Sequence, residues 1–220
     1  MIFQNRVEAG RKLAERLEKY RGPDTIVLAV PRGGVVTGCE VAEALGVPLD
    51  VVIPRKIGAP GEPELAIGAV AGDDTPVMDE RSIRFLSVSQ SYIDAEVQVQ
   101  RDEIARRRRL YRNDRPFPPL EGKTVILVDD GVATGYTTIA AARELRRKRP
   151  HKLVLAVPVA PPESVAKLRA EVDELVVLET PEPFFSVGSW YSEFTQTTDQ
   201  EVIHLLHLSD KRTERETHNA

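Results

Sequence analysis

Runs of apolar residues alternate with segments of helical periodicity along most of the chain. Short, nearly continuous apolar runs predict strands that are buried on both faces, over residues 25–30, 51–54, 123–128, 153–159 and 175–178. Apolar residues spaced three and four apart predict helices over 5–20, 35–45, 91–112, 137–149 and 162–170. This repeated β-α-β order predicts an α/β fold, a mostly parallel sheet flanked by helices with right-handed crossovers.

Local signals refine the ends and connections of these elements. Asn5 with Glu8 resembles a capping box for the first helix, and Ser91 with Asp94 suggests a cap for the long polar helix. Residues 55–74 are rich in glycine and proline, which predicts a mobile loop carrying a short hairpin. The residues after Leu208 are polar, which predicts a frayed tail over 209–220.

Composition and charge bear on the expected partners and cellular compartment of the protein. The 30 Lys and Arg against 34 Asp and Glu give a net charge of −4, so we do not expect nucleic acid to be held by a general positive field. The single cysteine, Cys39, cannot form an intrachain disulfide, which fits a reducing compartment. No apolar run approaches the ~20 residues of a membrane span. The first residues lack the charged and then apolar pattern of a secretory signal peptide. These features predict a cytoplasmic protein with no membrane segment.

The most informative stretch is 125–138, VILVDDGVATGYTT. Four apolar residues predict a strand, Asp129 and Asp130 follow at its carboxyl end, and a small-residue loop leads into a helix near Thr137. Gly131 and Gly135 allow a tight turn, and amides at a helix N-terminus form an anion site. The carboxylates do not suit a phosphate but do suit a vicinal diol or a divalent cation. A phosphate beside a diol describes a ribose 5-phosphate.

This stretch resembles the phosphoribosyl pyrophosphate (PRPP) motif of the type I phosphoribosyltransferases. The resemblance implies that Asp129 and Asp130 hold the ribose hydroxyls near a Mg²⁺ ion that arrives with PRPP, and that 133–137 cradle the 5-phosphate. Pro31-Arg32-Gly33-Gly34 looks like the family's pyrophosphate loop, and Arg55-Lys56 opens a segment in the position of its flexible loop. The implied PRPP contacts are Arg32, Gly33, Gly34, Arg55, Lys56, Asp129, Asp130, Gly131, Val132, Ala133, Thr134, Gly135, Tyr136 and Thr137. Catalytic roles are implied for Arg32, Lys56, Asp129 and Asp130.

The aromatic segment 183–194 looks like the hood of hypoxanthine-type members, which places Phe185 as the residue that stacks on an acceptor base, with Trp190 and Tyr191 beside it. The alternative for this segment is a small satellite core under a loop. Two departures concern the acceptor: Ala133 stands where those enzymes carry Asp, and Leu178 stands near the position of their base-reading Lys. The Ala-Thr-Gly loop looks instead like the uracil-type loop. The acceptor is therefore left open as a base or another amine.

The resemblance implies transfer of ribose 5-phosphate from PRPP to a nitrogenous acceptor with release of pyrophosphate, in a homodimer. It implies one domain over 1–208, with a core of about 21–180 and a hood from about 181–195 and the first 20 residues. The alternative is a non-catalytic protein that senses PRPP or a nucleotide on the same fold; a magnesium-dependent phosphatase ranks below both. The arginine run 106–109 is interpreted as a helix face that is solvated or contacts another subunit. The alternative hypothesis is that it contacts an effector or RNA.

Overall fold

A computed structural model describes residues 2–72, 75–113 and 115–218 of the chain. The helices are α1 (Arg6–Leu17), α2 (Gly33–Leu45), α3 (Glu80–Phe85), α4 (Gln90–Arg112), α5 (Tyr136–Arg147), α6 (Pro162–Arg169) and α7 (Asp199–His218). The strands are β1 (Thr25–Ala29), β2 (Leu49–Val51), β3 (Pro54–Ala59), β4 (Glu62–Ala71), β5 (Val77–Met78), β6 (Thr124–Val128), β7 (Lys152–Val159) and β8 (Glu174–Glu179). Short 3₁₀ turns cover Glu18–Tyr20 and Val187–Trp190.

Five strands form a parallel sheet in the order β2-β1-β6-β7-β8, with helices on both faces. Successive side chains of a strand point to opposite faces, and β6 shows the result. Ile126 and Val128 enter a core that also contains Leu13 of α1, whereas Val125 and Leu127 enter one that contains Leu145 of α5. The predicted class, a mostly parallel sheet flanked by helices, is confirmed.

Residues 55–72 of the glycine- and proline-rich segment contain the predicted hairpin, which is longer than expected and leaves little loop; residues 73 and 74 lie outside the described residues. Strands β3, β4 and β5 form a separate antiparallel sheet, with Gly61 at φ +77° in the turn. An added Cβ on Gly58 would lie 2.7 Å from the backbone of Pro63, so this glycine permits close approach within the hairpin. The strand predicted over 51–54 is also wrong in its bounds, because β2 ends at Val51 and Pro54 already belongs to β3.

The structure confirms one of the predicted helix caps and shows different bounds for two other helices. Asn5 caps α1, accepting a hydrogen bond from the Glu8 amide at 3.1 Å, while the Glu8 carboxylate accepts from the Gln4 amide. The cap of α4 is Ser89, not Ser91. Helix α7 passes Leu208, where the sequence predicted a polar tail to begin, and continues to His218. Within the described ranges, no helix combines the length and apolarity needed to cross a bilayer.

The amino-terminal segment joins the aromatic stretch that follows β8. Phe3 donates its amide to the Trp190 carbonyl at 2.8 Å, and the Ser192 amide donates to the Phe3 carbonyl at 2.8 Å. Phe3 and Tyr191 are buried together, with Trp190 packed against them. We call residues 2–5 and 187–195 the hood, since they lie together beside the carboxyl end of β6. The domain boundaries themselves stay a prediction.

Candidate active site

Two adjacent carboxylates lie at the carboxyl end of β6. Asp129 is buried, and its Oδ1 accepts a hydrogen bond from the Asp130 amide at 2.8 Å. Burial, followed by the negative charge of Asp130, raises the pKa of Asp129 well above its usual value. The ends of central strands in an open α/β sheet are where such folds bind ligands.

An arginine of the first helix reaches this acid pair. Arg6 donates from Nε to Asp130 Oδ2 at 2.6 Å and from Nη1 to the Thr195 carbonyl at 2.7 Å. Its guanidinium lies 3.9 Å from the centre of the Phe194 ring, and the side chain is nearly buried. Sequence reasoning missed Arg6. Its position on the buried stripe of α1, one turn before Ala9 and Gly10, is the signal that could have identified it.

The loop between β6 and α5 has the form expected of an anion site. Gly135 has φ +87° and lies at the N-cap of α5, so the chain can turn directly into the helix. The first amides of a helix have no intrahelical acceptor and face the loop. The Ser164 hydroxyl of α6 donates to the Ala133 carbonyl and the Val132 amide donates to the Val159 carbonyl at 2.9 Å, which fixes the loop in place.

The loop between β1 and α2 packs directly against the acids. An added Cβ on Gly33 would lie 1.9 Å from Asp130 Oδ2, and one on Gly34 would lie 2.9 Å from the Asp129 Cα. Both glycines are therefore required by the acid pair itself. The Pro31–Arg32 peptide bond is cis, and Arg32 lies 3.8 Å from the Asp199 carboxylate with its side chain 28% exposed.

The two basic residues of β3 have different surroundings. Arg55 donates to Gln100 Oε1 at 2.9 Å, and burial, followed by the nearby charge of Arg107, lowers the pKa of Arg55; Arg32 contributes in the same direction. Lys56 instead donates to Glu64 Oε2 at 2.6 Å within the hairpin. The structure thus brings Arg55 into electrostatic range of Arg32 and pairs Lys56 with Glu64. The PRPP contacts of both stay a prediction.

The three aromatic residues predicted at the acceptor site separate into two groups. Tyr191 is buried in the hood and its hydroxyl donates to the Asp130 carbonyl; Trp190 is partly buried beside it. Phe185 is 85% exposed and lines a cavity of about 380 Å³ next to Ala133 and Thr134. Acceptor contacts by all three stay a prediction.

The hood also touches the loop directly. An added Cβ on Gly131 would lie 2.5 Å from a methyl of Val187, so the glycine leaves room for this contact. The hood therefore packs directly against the loop at this point. Tyr136, the first residue of α5, points instead to Asp79; burial, followed by a hydrogen bond to Asp79, raises the pKa of Tyr136 to about 12.

The acid pair fits a divalent cation whose remaining ligands come from the substrate. Among the described residues, no cluster of three or more His, Cys, Asp or Glu side chains has the geometry of a metal site. Burial and the charge of Asp130 raise the pKa of Asp129, and a nearby cation would nevertheless favour the ionised form of both carboxylates. Mg²⁺ is commonly bound by one or two carboxylates together with substrate phosphates, which is the arrangement that Asp129 and Asp130 could supply.

Comparison with known proteins agrees with this geometry. The chain is 43% identical over 205 residues to "Putative phosphoribosyl transferase Rv0571c" of Mycobacterium tuberculosis, covering 93% of this chain and 46% of the relative. It thus spans about half the length of the curated relatives it matches. The crystal structure of TT1426 from Thermus thermophilus is 44% identical with a TM-score of 0.77, covering 94% of this chain and 98% of that one. Residues 2–192 match the family described as "Phosphoribosyl transferase domain", and the chain belongs to that family.

Proposed function

We propose that this chain transfers the 5-phosphoribosyl group of PRPP to a nitrogenous acceptor and releases pyrophosphate. The observation that carries the proposal is the pair of buried Asp129 and partly buried Asp130, which lies between the loop that precedes α5 and the Pro31–Gly34 segment. The pair would accept hydrogen bonds from the ribose hydroxyls, and the amides of 133–137 would bind the 5-phosphate. The proposal includes a homodimer in the cytoplasm.

The reaction breaks the C1–O bond of PRPP and forms a C1–N bond to the acceptor. The bonding electrons of the C1–O bond leave with pyrophosphate, and the acceptor nitrogen releases its proton to solvent. Stretching that bond gives the ribose oxocarbenium character, as in glycoside chemistry. Bound Mg²⁺ would neutralise charge on the pyrophosphate; Arg32, with Lys56 or Arg55 of the β3–β4 hairpin, would add hydrogen bonds to its oxygens.

The hairpin would also exclude water from the reacting carbon. β3 and β4 form an ordered two-stranded ribbon whose Lys56–Glu64 ion pair is exposed, with Glu64 93% exposed. A solvated ion pair of this kind is weak, so Lys56 can be released to a phosphate at little cost. Closure of the hairpin would protect the cation-like ribose from hydrolysis.

One contact favours a second candidate function, a protein that senses PRPP or a nucleotide. Arg6 occupies Oδ2 of Asp130, the same carboxylate that the ribose would use. Ligand binding would therefore alter a bond between the site and the hood. Such a bond would report occupancy to a partner without turnover.

The test incubates the protein with PRPP, Mg²⁺ and a panel of bases and amines, and measures pyrophosphate. Release with one acceptor, abolished in Asp129→Asn/Asp130→Asn, supports the enzyme. The matched control, Asp94→Asn/Asp102→Asn, removes two acids from the exposed face of α4 and should retain activity. Binding of PRPP without release supports the sensor, and absence of binding by calorimetry contradicts both.

A further inference from the structure

Five cations surround a cavity on the face formed by the end of α4, the segment that follows it and the end of α5. The cavity has a volume of about 300 Å³. Its cationic lining consists of Arg108, Arg109, Arg112, Arg115 and Lys148. Within the described part of the chain, Glu144 is the one acidic residue in the same lining. The function proposed above uses none of these residues.

Three of the cations have acidic partners. Arg108 bonds to Glu144 at 2.6 Å, Arg112 to Asp50 at 3.0 Å, and Arg115 to Asp210. Asp50 and Asp210 lie outside the cavity lining. Arg109 and Lys148 have no acidic partner among the described residues, so the cavity keeps an excess of positive charge.

An aromatic ring holds two of these cations in place. The Arg112 guanidinium lies 4.2 Å and the Lys148 ammonium 4.5 Å from the centre of the Phe117 ring. Arg112 is 5% exposed, yet its Nε has no hydrogen-bond partner among the described residues. A buried donor without an acceptor costs free energy, so the fold holds this guanidinium beside the cavity at a cost to its stability.

We propose that this cavity binds the phosphate group of a small phosphorylated molecule. Guanidinium groups match phosphate oxygens in geometry, and five cations around one concavity suit an anion carrying two or more charges. Phe117 already contacts Arg112 and Lys148, so recognition rests on the phosphate and not on a base stacked on this ring. A small anion is favoured over RNA because the cations converge on one concavity instead of following an extended strip.

The site is placed where it can affect PRPP binding. Glu144, the partner of Arg108, lies on α5, whose N-terminus forms the phosphate loop. Arg112 donates to the Val51 carbonyl at 3.1 Å, just before the hairpin that carries Arg55 and Lys56. The inference does not depend on the proposed reaction, because the cavity and the acid pair share no residue.

The experiment titrates the whole chain with inorganic pyrophosphate, without Mg²⁺, by isothermal calorimetry. The variant Arg109→Gln/Lys148→Gln should weaken binding at one site at least tenfold. The matched control Arg106→Gln/Arg169→Gln removes two exposed cations outside the cavity and should change the affinity less than twofold. Thermal melting of each variant shows that the fold is retained.

Three results would overturn the inference. An isotherm that the cavity variant leaves unchanged would place all binding elsewhere, including at the proposed PRPP site. Equal weakening in both variants would show that only net charge matters. Binding of a 12-nucleotide single-stranded RNA that depends on Arg109 and Lys148, with no such dependence for pyrophosphate, would make this face a nucleic-acid contact.

Discussion

Arg6 in the first turn of α1 donates to Asp130 at the end of β6, 2.6 Å from Nε to Oδ2, across 124 positions of sequence. The same guanidinium bonds to Thr195 and stacks on Phe194, so one side chain connects the first helix, the hood and the acid pair. A ligand that binds Asp130 must share or displace this bond. Binding of such a ligand would therefore be linked to the position of the hood.

Replacing Arg6 with methionine should destabilise the fold. Removing one partner of a nearly buried ion pair leaves the other charge uncompensated, and we expect a loss of about 2–3 kcal/mol in the free energy of unfolding. Urea denaturation at pH 7 measures it. Arg11→Met is the control, because its ion pair with Glu40 is 70% exposed at Arg11 and should contribute under about 1 kcal/mol.

A double-mutant cycle then identifies the partner. Arg6→Met combined with Asp130→Asn should cost less than the two single changes added together, because an amide at position 130 carries no charge that needs compensation. Strict additivity would show that Arg6 stabilises the hood through Thr195 and Phe194 alone.

Alanine at Gly33 and at Gly34 should disturb the two acids by different contacts. At Gly33 the new methyl meets both Asp130 Oδ2 and Arg6 Nε, so their ion pair must open; PRPP affinity should fall by at least about tenfold, and the free energy of unfolding should fall as it does in Arg6→Met. At Gly34 it meets the Asp129 backbone, which cannot move freely, so we expect a loss of about 1–3 kcal/mol. Calorimetry with PRPP and urea denaturation provide the two readouts. Unchanged PRPP affinity in Gly33→Ala would contradict this assignment.

The Lys56–Glu64 ion pair gives a test of the hairpin. If Lys56 moves to the pyrophosphate, Lys56→Ala should lower kcat/KM by about tenfold or more. Glu64→Gln should leave kcat/KM equal or higher, because it frees the lysine from its partner. Steady-state kinetics with PRPP checks both, once an acceptor is known. A loss in Glu64→Gln as large as that in Lys56→Ala would show that the pair itself is needed.

Acid stability should depend on Glu174. Hydrogen bonds from Lys19, then Tyr20 and Lys152, lower the pKa of this carboxylate from 4.5 to about 2. A lowered pKa means that Glu174 stabilises the fold above pH 4.5, and that this contribution is lost as the pH falls towards 2. We expect Glu174→Gln to cost about 1 kcal/mol at pH 7, after allowance for solvent screening, and to differ little from the native chain near pH 2.

Urea denaturation of both proteins between about pH 2 and 7 measures this difference. The control Glu121→Gln removes the exposed partner of Arg149 and should have an effect under about 0.5 kcal/mol throughout. A difference between Glu174→Gln and the native chain that stays constant over the whole range would contradict the assignment.

The sequence predicts the parts of the fold whose cause is local. The apolar run 125–128 and the glycines after it specify a buried strand, a tight turn and the start of α5 without reference to distant residues. Asn5 likewise caps α1 through a bond to a residue three positions away. Signals of this range depend less on tertiary context than contacts between distant residues do.

The parts that could not be predicted depend on distant contacts. Gly58 and Gly68 suggest a loop by composition, but they lie in paired strands because neighbouring backbone and Met78 approach them closely. The partner of Arg6 is visible only once β6 and α1 are brought together. Local propensity carries no information about which remote side chain will meet a buried charge.

The bridge between Phe3 and Tyr191 has a consequence for biosynthesis. The hood over the carboxylates is assembled from segments that lie far apart in the chain. A nascent polypeptide that already contains residues 125–138 therefore still lacks a complete pocket. The pocket would form late in synthesis, after nearly all residues that precede α7 have emerged from the ribosome.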